Sequence, residues 1–74
     1  MTIEDFKDIY KKYPTEKKLD LIIERAELYA QHSYKAGRAH RDGTNLEYGY
    51  YTDNAKLELE EIKWLVSEVK ESIK

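Results

Sequence analysis

The chain has 74 residues, a formal net charge of −2 and no cysteine, which leaves room for one domain and excludes disulfides and cysteine-based zinc sites. A chain this short buries only roughly 60% of the surface its unfolded form exposes, so its own core is marginal and association with another copy is a natural source of stability. A near-neutral balance argues against a general nucleic-acid binder, which is usually clearly basic.

The start, Met1-Thr2-Ile3-Glu4-Asp5, is acidic and lacks the basic-then-apolar pattern of a signal peptide. No apolar run approaches the ~20 residues of a membrane span. The expectation is therefore a cytoplasmic protein, from a bacterium or a bacterial virus, with no membrane partner. Thr2 and Asp5 are spaced to cap a short helix over about residues 2–13. Phe6, Ile9, Tyr10 and Tyr13 share its apolar face, and Pro14 ends it. Thr15 is placed to cap a second helix over about 16–41, with Glu16 in its first turn. That helix carries a seam of Leu19, Ile22, Ile23, Ala26, Tyr29, Ala30, Ser33, Ala36, Gly37 and His40, bulky at its start and small at its end. Asp42-Gly43 supplies the stop, with Gly43 suited to the left-handed position after a helix.

Thr44-x-x-Glu47 reads as a capping box opening a third helix over about 44–73. Its seam is Tyr48, Tyr51, Ala55, Leu59, Ile62, Val66, Val69 and Ile73, spaced 3, 4, 4, 3, 4, 3, 4, which is a helical period. Gly49, Asp53 and Asn54 favour a rival in which 43–52 is a loop. The seam nevertheless continues in register through Tyr48 and Tyr51, so the long helix is preferred. Two helices of ~40 Å joined by a tight turn are antiparallel neighbours. The fold class is thus all-α: an antiparallel hairpin of two long helices preceded by a short N-terminal helix, one domain over residues 1–74.

Each long helix has a second side. On the second helix it comprises Leu21, Arg25, Leu28, His32, Lys35 and Ala39. On the third it comprises Leu46, Tyr50, Leu57, Glu61, Trp64 and Glu68. If the first seams pair, these sides point away from each other, and the short helix covers only part of one. One reading has Phe6, Ile9 and Tyr10 of the short helix cover Leu21, Leu28 and Leu57, giving a three-helix monomer. The preferred reading makes at least one of the sides a contact surface for a second copy or another protein, with Leu21, Arg25, Leu28, His32, Leu46, Tyr50, Leu57, Glu61 and Trp64 as the partner-binding residues. The opposite charge bias suits the second helix of one copy against the third of another, in a dimer or a larger assembly.

Little in the sequence points to catalysis. Glu24/Glu27 and Glu58/Glu61 are E-x-x-E pairs of the kind that hold magnesium in all-helical nucleotide pyrophosphohydrolases. Here the first pair points away from the seam, so the two pairs do not meet. His32 and His40 lie on different sides of their helix, and Ser33 has no evident base. Gly37, Gly43 and Gly49 match no phosphate-loop pattern. The expectation is a non-enzymatic protein without metal or cofactor. An alternative reading takes Lys35, Arg38, His40, Arg41 and Tyr48 at the hairpin tip as a site for a nucleotide or RNA, since cations bind phosphates and tyrosines stack on bases. In size, composition and lack of catalytic groups the chain is similar to small phage-encoded inhibitors of host machinery, including anti-CRISPR proteins. That resemblance is one of type, and implies a protein that binds and inhibits a protein partner.

Overall fold

A computed structural model describes residues 2–73. Its elements are α1 (Ile3–Tyr10), α2 (Thr15–Asp42) and α3 (Asn45–Ser72), with no strand among the described residues. α2 and α3 pack along their length as the expected hairpin, and α1 lies against α3. The long helices have 28 residues each, about 42 Å at 1.5 Å per residue, and the molecule is 46 Å in its longest dimension.

Local chemistry explains the boundaries. Thr2 accepts from the Asp5 backbone N–H at 3.2 Å, and the Asp5 carboxylate accepts from the Thr2 N–H at 3.3 Å. α1 stops at Tyr10, earlier than Pro14 alone requires, with the Tyr13 N–H turning back to the Tyr10 carbonyl. Pro14, rather than Thr15, occupies the cap position of α2, because its extended backbone is the entry conformation. The Thr15 hydroxyl instead reaches Ser72 at 2.8 Å and ties the open ends of the hairpin together.

At the turn, Gly43 has φ 76°, the left-handed conformation that a residue without a Cβ adopts without strain. The Thr44 side chain does not cap α3. Its hydroxyl and its N–H both donate to the Ala39 carbonyl, at 3.1 and 3.0 Å, so it closes α2 instead. α3 is nevertheless helical from Asn45, and residues 45–52 are not a loop.

The rotation of the two helices differs from the expected one. The α2 residues turned toward α3 are Lys18, Leu21, Ile22, Arg25, Leu28, His32, Ala36 and Ala39, all buried or half-buried. Those of α3 include Tyr51, Ala55, Glu58, Glu61, Leu65 and Glu68. On α2 the side expected to point away is thus largely the one that pairs, whereas on α3 the inner side combines Tyr51 and Ala55 of the expected seam with Glu61 and Glu68 of the expected far side. Of the expected α2 seam, Ile22 and Ala36 do face α3, but the rest is on the surface, with Leu19 46% and Ile23 61% exposed, and Ala26, Ala30, Ser33, Gly37 and His40 exposed beside them.

The physical reason is charge. Lys18 meets Glu68 at 3.3 Å, Arg25 meets Glu61 at 3.7 Å, and His32 Nδ1 lies 2.8 Å from Glu58. Buried charges must be paired, and in this rotation each of the three cationic side chains has a carboxylate across the seam. Long cationic stems also cover apolar surface as they do so.

Candidate interaction surface

The hairpin has two broad sides. One is covered at the open end by α1. Phe6 is fully buried there, edge-on to Trp64 with ring centroids 5.9 Å apart and 4.6 Å from the Tyr10 ring. The Arg25 guanidinium stands 5.2 Å from the Phe6 ring. Lys18 donates to the Lys11 carbonyl at 3.1 Å, so a single ammonium links the α1–α2 connection, Glu68 and the Trp64 face. Trp64, Arg25 and Glu61, expected to face a partner, are internal parts of this joint.

The electrostatics there are uneven. Burial raises the Glu61 pKa above its ordinary value; Arg25 opposes this and the neighbouring Glu58 adds to it. Arg25 Nε is buried and makes no hydrogen bond. Among the described residues, no group of three or more His, Asp or Glu is placed to hold a metal ion. Glu24 and Glu27 are exposed, whereas Glu58 and Glu61 are buried.

The opposite side carries no third helix. On α2 it presents Leu19, Ile23, Ala26, Ala30, Ser33 and Gly37, spaced 4, 3, 4, 3, 4, a coiled-coil spacing that no third helix covers among the described residues. On α3 it presents Tyr48, Thr52, Leu59, Ile62 and Val66, exposed or half-exposed. Between the two rows lies a cleft of about 350 Å³ lined by Tyr29, Ser33, Ala36, Gly37, Tyr48, Thr52, Ala55, Lys56 and Leu59. Tyr29, Leu59 and Tyr48 remain 36%, 36% and 41% exposed.

The tip divides the residues of the alternative reading. Lys35 and Arg38 line a second cleft of about 310 Å³ together with Ala39, Asp42, Glu47 and Tyr51, and Lys35 lies 5.7 Å from the Tyr51 ring. Two carboxylates there offset the two cations. His40 turns to Tyr48, with ring centroids 5.3 Å apart, on the apolar side. Arg41 is exposed and lines neither cleft. Of the other expected contacts, Leu46 and Tyr50 project at the tip, 92% and 62% exposed. Leu21, Leu28 and Leu57 are half-buried, and His32 is held by Glu58 and stacked 5.9 Å from Tyr51.

One signal in the sequence does locate two of the three internal pairs. Lys18 and Glu68 are equidistant from Gly43, as are Arg25 and Glu61, with opposite signs each time. A tight turn at Gly43 brings such positions to the same level.

No family model, no curated protein and no solved structure matches the chain. No helix among the described residues is long and apolar enough to cross a membrane.

Proposed function

We propose that this is a non-enzymatic helical interaction protein that self-associates through the side opposite α1. The observation that carries this reading is the uncovered heptad row of α2, from Leu19 to Gly37, beside the apolar row of α3. Two long apolar rows on one side of a small chain are costly to leave in water, at about 25 cal/mol per Å². Phe6 and Leu65 are the only large side chains fully buried among the described residues, so the chain by itself has little core. Covering the open side completes a four-helix bundle of familiar geometry. Another protein then docks at the surfaces left free, with Leu46 and Tyr50 at the tip as its contacts, in the manner of small inhibitory proteins.

The test is the solution mass of Ile23→Glu. Ile23 is exposed in the single chain, so the variant keeps its helix content but falls to the monomer mass. A variant that retains the mass of the parent removes this side as the contact. Leu46→Glu leaves the mass unchanged and weakens docking of the other protein alone.

A further inference from the structure

We infer that the occupant of the open side is a second copy of this chain, arranged with the two tips together. This rests on the self-association reading and adds the direction and register of the contact. The side measures 46 Å by at most 19 Å, on the order of the roughly 800 Å² per partner of a standard interface. A twofold axis along the hairpin lays α3 of one copy over α2 of the other, with all adjacent helices antiparallel. Residues within about one helical turn of the same distance from Gly43 then meet. Gly37 lies near the partner copy's Tyr48, Ala30 near its Leu59, and Ala26 near its Ile62. Each level holds one small and one large side chain, as close packing demands. The cleft beside Ser33 and Gly37 is filled from the other copy.

The rims decide the direction. The edge of α2 beside the open side carries Glu16, Asp20 and Glu27, and the matching edge of α3 carries Lys56, Lys63 and Lys70. With tips together, Glu16 meets Lys70 of the other copy and Glu27 falls between its Lys56 and Lys63. The opposite arrangement, tip to open end, sets the lysine rim of α3 against its own symmetry mate and the acidic rim of α2 against its own. Exposed pairs add little affinity each, but like charges facing one another discriminate between arrangements.

The native chain has no cysteine, which makes the test direct. Ala30→Cys and Leu59→Cys chains are mixed and oxidised, and the parent is weighed by sedimentation equilibrium. A dimer yielding the mixed Ala30→Cys/Leu59→Cys disulfide supports the arrangement. A dimer in which Leu59→Cys pairs with itself, or which gives no mixed disulfide, overturns the arrangement and leaves self-association standing. A monomer overturns both. Charge reversal checks the register without cysteines. Glu27→Lys weakens the dimer about five- to tenfold through two symmetry-related rim contacts, and adding Lys63→Glu restores it. Failure of Lys63→Glu to rescue counts against the tips-together register.

Discussion

At the scale of single residues, the joint around Arg25 is where the chain sets opposing effects against each other. Arg25 and Glu61 form a buried pair whose desolvation is only partly offset, since Arg25 Nε has no hydrogen bond and Glu61 sits beside Glu58. Removing Arg25 alone leaves a buried carboxylate without its partner, so Arg25→Ala costs about 3 kcal/mol in urea unfolding. Replacing both, as Arg25→Met with Glu61→Leu, leaves stability unchanged or higher. Because the folded-state pKa of Glu61 is raised, this group favours folding fully below its ordinary range near 4.5. That contribution is lost as the pH rises through the raised value. The urea midpoint of Glu61→Gln therefore lacks the decline that the parent shows across that window. An identical pH dependence in parent and variant would mean that Glu61 titrates as an exposed carboxylate does. Phe6→Ala removes the largest plug of the α1 joint and costs about 3–5 kcal/mol. Trp64→Glu acts at the same joint, so it destabilises the fold rather than dissociating copies.

At the scale of elements, helix identity was legible and helix rotation was not. The 3.6-residue period of Tyr48 through Ile73 placed α3 as one helix despite Gly49, and Gly43 marked the turn. Rotation followed hydropathy, which put Leu19 and Ile23 inside and Arg25 and Glu61 outside. The observed pairing obeys charge complementarity at equal distances from Gly43, together with the need to bury Trp64 under α1. Hydropathy misleads here because both sides of each long helix are apolar enough to pack, and the ionic groups choose between them. The caps failed at Thr15 and Thr44 for a related reason: each hydroxyl found a tertiary or preceding-helix partner instead of its own first turn. Gly43→Ala strains a left-handed position and costs about 1 kcal/mol, read as a lowered melting temperature with unchanged helix content.

At the scale of the whole molecule, the rotation of the helices determines what the surface offers. Had the apolar rows of α2 and α3 faced each other, the chain would have been a closed hairpin with charged outer sides. Because charged pairs occupy the inner seam, both rows emerge on the same side, in register, over most of the length of the hairpin. The candidate residues named from sequence divide accordingly. Arg25, Glu61, Trp64 and His32 serve the fold, whereas Leu46 and Tyr50 stay exposed at the tip. The row first assigned to the core is the proposed contact. The most direct measurement is sedimentation equilibrium of the unmodified chain over a wide concentration range. Self-association through the open side gives a reversible dimer at twice the 8.8 kDa chain mass. A folded helical monomer at every concentration would contradict it.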